Sequence, residues 1–119
     1  MKIGDIISLL NAEVHYLRND DAEKEVGSAT ACDLMSDILA SVNVPDILIT
    51  GLNNAQVIRT SSVFGIKAVV IARGRPVDPK LIELAREEDI TLLSTKDSLF
   101  AASGKLFNNG IEEASGPSR

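Results

Sequence analysis

Tryptophan is missing from this 119-residue sequence, and it holds only one Tyr, three Phe, one Cys and one His. Each scarcity excludes something. A core without large aromatics must be built from aliphatic side chains. A lone Cys forms no disulfide within the chain, and one Cys with one His cannot assemble a Cys/His metal site. Sparse aromatics and a formal charge of -5 argue against a nucleic-acid binder, which needs a basic face and stacking platforms. No apolar run approaches the ~20 residues that cross a bilayer, and Met1-Lys2 opens into an amphipathic pattern rather than a signal peptide. The expectation is a cytoplasmic protein without membrane contact. What is present fits a globular domain, with 45% apolar and 24% charged residues. At this length about two-thirds of the surface is buried on folding, enough for one core without staples.

Ile3, Ile6, Ile7 and Leu10 follow the i, i+3, i+4, i+7 rule and predict a short helix. A strand over 12–17, a polar solvated loop over 18–24 and a weak strand over 25–31 follow. Asp33 is placed to cap a helix carrying Leu34, Met35, Ile38, Leu39 and Val42, which Pro45 ends. Three strand–loop–helix units come next. The first runs from strand 46–50 through Gly51-Leu52-Asn53-Asn54 to a helix closed by Gly65. The second runs from strand 66–72 to a helix capped by Asp78 with Pro79 at its first position. The third joins strand 90–93 through Ser94-Thr95 to a helix ending near Gly110. The aliphatic runs Ile47–Ile49 and Ala68–Ile71 suit strands covered on both faces. The reading is a three-layer α/β domain over residues 1–111, with a mostly parallel sheet between helices and a disordered tail over 112–119.

Parallel strands send all three strand-to-helix loops to one edge of the sheet, the carboxyl edge, where open α/β sheets bind ligands. Thr50, Gly51, Asn53 and Asn54 lead into a helix N-terminus, suited either to a polar or anionic ligand or to an ordinary asparagine cap. Arg59 lies one turn further on. Arg73 and Arg75 bring guanidinium groups suited to phosphate or carboxylate, or serve as plain surface charge. Ser94 and Thr95 supply hydroxyls to the third loop, as ligands or as helix caps. Cys32 reads as a small buried hydrophobe, and His15 as a strand residue without a partner. Asp20-Asp21 and Glu87-Glu88-Asp89 read as solvated charge. No nucleophile–base–orienter set and no metal-ligand spacing emerges.

The runs Ala31-Cys32-Asp33-Leu34-Met35-Ser36-Asp37-Ile38-Leu39-Ala40, Ile47 to Thr60, Gly65 to Val70 and Leu92 to Thr95 resemble stand-alone proteins of the DRTGG-domain family. The resemblance covers roughly residues 2–110 and lies in order and spacing. It implies a fold similar to the N-terminal domains of HPr kinase/phosphorylase and of the MurE/MurF ligases. Such domains serve regulation and subunit contact in larger proteins, and short members are associated with iron hydrogenase components. The pentapeptide that names the family is absent, and Leu52-Asn53-Asn54-Ala55 follows Thr50-Gly51 instead. Cys32 alone cannot hold an iron–sulfur cluster, so no cofactor is expected. The functional expectation is a non-catalytic regulatory or interaction domain, homodimeric, sensing a small anionic or nucleotide-like ligand. Two alternatives remain: an accessory protein contacting an iron hydrogenase or redox complex, and a small enzyme using Cys32 or Ser94.

Overall fold

The computed structural model describes residues 1–39 and 43–114. Helix α1 (Ile3–Leu9) leads into strand β1 (Glu13–Tyr16), a 3-10 turn (Asp21–Glu23) and strand β2 (Ser28–Ala31). Then come α2 (Met35–Leu39), β3 (Ile47–Thr50), α3 (Ala55–Phe64), β4 (Ala68–Ile71), α4 (Pro79–Glu87), β5 (Thr91–Ser94), α5 (Leu99–Asn108) and β6 (Glu112–Glu113). The strands form one sheet in the order β1-β5-β4-β3-β2-β6. Five run parallel, and β1 pairs antiparallel with β5. The mostly parallel three-layer α/β architecture expected from the sequence is present.

Side chains of β3, β4 and β5 alternate between two aliphatic layers, because successive residues of a strand point to opposite faces. Ile47, Ile49, Ala68, Val70 and Leu93 join Ile3 and Ile6 of α1 and Ala102 and Leu106 of α5. Leu48, Val69, Ile71 and Leu92 join Ile38 of α2, Val57 and Ile58 of α3, and Leu81 and Ala85 of α4. All four positions of both β3 and β4 are buried, as continuous aliphatic runs demand of strands covered on both sides.

Local signals mark several boundaries. Asn54 and Asp78 cap α3 and α4 through backbone N–H groups of Val57 and Leu81, and Pro79 occupies the first position of α4. Gly65 closes α3 at φ +80°, a left-handed geometry that a Cβ disfavours.

Other expectations are corrected. Asp33 does not serve as the cap of α2, because its carboxylate reaches the β3–α3 loop. Leu34 is exposed rather than part of a buried helix face. The contribution expected of Val42 lies outside the described residues, as does that of the Leu39 side chain. The segment 18–24 is not simply a solvated loop. Asp21 is only 4% exposed, accepts a 2.5 Å bond from Thr91 Oγ1, and lies 3.5 Å from Arg18 Nη1. Asp89 accepts from Tyr16 Oη (2.7 Å) and Arg18 Nε (3.4 Å), so it also ties β1 to the rest of the fold. At the start of the expected tail, Glu112–Glu113 form β6 beside β2, and the rest of that tail, 115–119, lies outside the described residues. No helix among the described residues is long and apolar enough to cross a membrane.

Candidate functional site

Register brings the carboxyl ends of the three central strands into line: Thr50 pairs with Ile71, and Ile71 with Ser94. The loops after β2, β3, β4 and β5 therefore share one edge. Antiparallel β1 starts at that edge, with Glu13 opposite Ser94. The predicted site residues gather along this edge in distinct groups.

The first group lies over β3 and β4. Asp33 Oδ1 accepts from the Gly51 N–H (2.7 Å) and from Thr50 Oγ1 (3.3 Å). Asp33 Oδ2 accepts from Arg73 Nη2 at 2.5 Å. The Arg73 guanidinium lies flat against Gly51, where a Cβ would sit 2.9 Å from Nη1. Gly51 thus gives the Arg73 side chain room for a close approach, which a Cβ would force to shift. The Gly51 amide chiefly, and then the Arg73 charge, hold the Asp33 carboxyl below the usual carboxylate range despite partial burial. Arg73 adopts φ +68°, uncommon for a residue with a side chain. Its backbone N–H is satisfied by the Asp97 carbonyl. Thr50, Gly51 and Arg73 do come together, but with each other and Asp33. Sequence reasoning gave Asp33 only a capping role. Its partners stand 18 and 40 positions away, beyond any local pattern.

Asn53 and Asn54 hold the next loop in place. Asn53 Nδ2 donates to the Pro76 carbonyl (2.8 Å), and Asn54 Oδ1 caps α3 (3.4 Å). Arg59 is exposed on a groove between α3 and α4, in company with Asp78, Lys80, Glu83 and Glu87, and does not meet Arg73 or Ser94.

The second group lies beside β5. A cleft of about 320 Å³ is lined by Asn11, Glu13, His15, Gly74, Arg75, Ser94, Thr95 and Lys96, with Pro76 and Val77 completing the wall. The register of β1 shifts between Val14 and Tyr16, placing His15 in a bulge, a device that re-aims a side chain. His15 Nε2 lies 2.8 Å from Ser94 Oγ. This corrects the expectation that His15 has no partner, since 79 residues separate the pair. Thr95 is buried and donates to the Leu10 carbonyl (2.8 Å). Neither Ser94 nor Thr95 caps α5, because Ser98 does so through the Ala101 N–H (3.0 Å). Arg75 and Lys96 are exposed and form no ion pair among the described residues.

The chemistry open to these groups is limited. Glu13 Oε2 approaches the same His15 nitrogen, Nε2, at 3.4 Å. A serine triad needs the carboxylate on the opposite ring nitrogen, so this set lacks the relay that would activate Ser94. Cys32 is half-buried, its Sγ pointing to the Leu34 carbonyl at 3.5 Å, and burial pushes its thiol up, away from the nucleophilic thiolate. Among the described residues no group of three or more His, Cys, Asp or Glu could hold a metal ion.

A sequence profile of the DRTGG domain matches residues 5–108. The fold is shared with the crystal structure of the CBS and DRTGG domains of the regulatory region of Clostridium perfringens pyrophosphatase, complexed with its activator diadenosine tetraphosphate. The TM-score is 0.73 at 20% identity, covering 88% of this chain and 45% of that one. No curated protein sequence gives a significant match.

Proposed function

The chain belongs to the DRTGG-domain family, and from that premise we propose that it is a non-catalytic regulatory domain sensing a small anionic, nucleotide-like ligand in the cleft beside β5. One observation carries this reading. Arg75 and Lys96 stand at the carboxyl edge without an ion-pair partner among the described residues, in a cleft they share with Glu13 and with the hydroxyl and imidazole of the Ser94–His15 pair. Guanidinium and ammonium groups beside a hydroxyl donor are what a phosphate selects. The nucleotide activator in the similar pyrophosphatase region is in keeping with such a ligand. The expected homodimer belongs to the same reading, since regulation by subunit contact requires a partner subunit.

Thermal unfolding with a panel of nucleotides, dinucleoside polyphosphates and inorganic pyrophosphate tests it. A ligand at ~100 times its dissociation constant stabilises the folded state by about 2.7 kcal/mol. An Arg75→Ala/Lys96→Ala double variant should bind that ligand at least ~10-fold more weakly, a loss of about 1.4 kcal/mol, while unfolding at an unchanged temperature without ligand. Absence of a shift with every anion in the panel overturns the sensing role. Undiminished binding by the double variant moves the ligand elsewhere.

A further inference from the structure

Two of the three Phe side chains stay out of the core. Phe100 is 88% exposed and Phe107 72% exposed, seven residues apart on α5. At 100° per residue Phe100, Ser103, Gly104 and Phe107 share one stripe, while Ala102 and Leu106 turn to the core on the opposite side. A groove of about 370 Å³ runs beside this stripe, floored by Ala29, Ala31 and Ile49. For scale, a cavity of ~150 Å³ accommodates a benzene ring.

Gly104 supplies an independent observation. Glycine inside a helix weakens it relative to alanine. Here an added Cβ would meet nothing within 4 Å among the described residues, so none of them demands the small residue. A surface that keeps a costly glycine between two solvent-exposed phenylalanines is shaped for something outside the chain.

We propose that this face of α5 is a two-fold surface on which a second copy of the chain docks, with the two α5 helices antiparallel and crossing between Ser103 and Gly104. This rests on the homodimer reading above and names its surface. The patch complements itself. A two-fold axis between positions 103 and 104 sets Phe100 of one copy beside Phe107 of the other. It also sets Ser103 against Gly104, where the backbones can approach. The stripe itself carries no charge, and the neighbouring Lys105 is neutralised by Asp97 at 2.8 Å; the nearby carboxylates are those of Glu112 and Glu113, which line the groove, so the two copies meet along the stripe. Aromatic side chains offer about 150–250 Å² each, so the two Phe expose roughly 300 Å² per copy. Doubled, that is about half of the ~1,200 Å² at which stable interfaces begin. The groove walls supply further apolar area.

Sedimentation equilibrium over a wide concentration range tests the proposal. The wild-type chain should dimerise, and a Phe100→Asp/Phe107→Asp variant should dissociate at least ~10-fold more readily. Val63→Asp, at an equally exposed apolar position on α3, should leave the dimer unchanged. Gly104→Ala should raise the unfolding temperature of the dilute monomer yet weaken the dimer, opposite signs that a purely structural glycine would not give. That variant decides the matter alone if the double Phe variant fails to fold. A dimer that survives both α5 changes overturns the surface and leaves the homodimer reading standing. A wild-type monomer at every concentration overturns both, and the α5 face then serves a different protein.

Discussion

One sheet edge carries two regions that treat their charges in opposite ways. Over β3 and β4, Asp33 and Arg73 face each other across Gly51, and the carboxylate is met by a backbone amide, a hydroxyl and a guanidinium. Beside β5, Arg75 and Lys96 form no ion pair among the described residues, although Glu13 shares their cleft with a histidine and a serine that bond to one another. The closed region commits its carboxylate to partners within the chain, while the Arg73 side chain stays 42% exposed. The open region keeps cations in water, where they cost little and remain available. Both occupy the edge that binds ligands in open α/β folds, so position alone does not mark a site. What separates the two regions is whether the cation is paired.

The sharpest way to break this contrast is Asp33→Ala. It removes a charge-assisted bond and leaves the Gly51 amide and the Arg73 guanidinium without their acceptor. With the carboxylate about one-third exposed, the expected loss is about 1–2 kcal/mol, measured by urea denaturation. A loss below a few tenths would mean that water replaces the carboxylate without penalty. Acid should erode the same interaction. The folded-state pKa of Asp33 lies below that of an ordinary aspartate, so its contribution is fully present above the ordinary value. It is lost as pH falls through the lowered folded pKa. Stability measured from pH 5 downward should therefore fall less in Asp33→Asn than in the wild-type protein. Parallel pH profiles would remove Asp33 from the account.

Gly51→Ala should cost about 1 kcal/mol or less, because the crowding atom belongs to a side chain that can shift, although Asp33 restrains it. The smallest expected effect belongs to the open region. Arg75→Ala should leave stability within about 0.5 kcal/mol of wild type, as surface changes away from special features do. A larger loss would show that Arg75 is structural and that the contrast is false.

The fold was legible where information is local. Continuous aliphatic runs marked β3 and β4, and Asn54, Asp78-Pro79 and Gly65 marked helix ends. The carboxyl edge followed from strand and helix alternation. What stayed hidden was long-range pairing. Nothing near Asp33 announces Arg73, which only the β4-β3-β2 order brings to it, and nothing near His15 announces Ser94, which the placing of β1 beside β5 joins to it. The cap of α5 was expected at Ser94 or Thr95, and the geometry gives it to Ser98, four residues nearer the helix than Ser94. Asp21 was misread because polar composition predicts exposure, and it takes the Thr91 hydroxyl and Arg18 to make burial tolerable.

The two outermost strands have a consequence for solubility. At one border of the sheet β1 is four residues long and broken by the bulge at His15, and at the other β6 is only two residues long and consists of glutamates. Short, kinked or charged borders are poor templates for adding a neighbour's strand. Copies of this chain are thereby discouraged from growing into an open-ended ribbon. Any assembly they make is steered toward helix faces, where a two-fold contact closes on itself and stops.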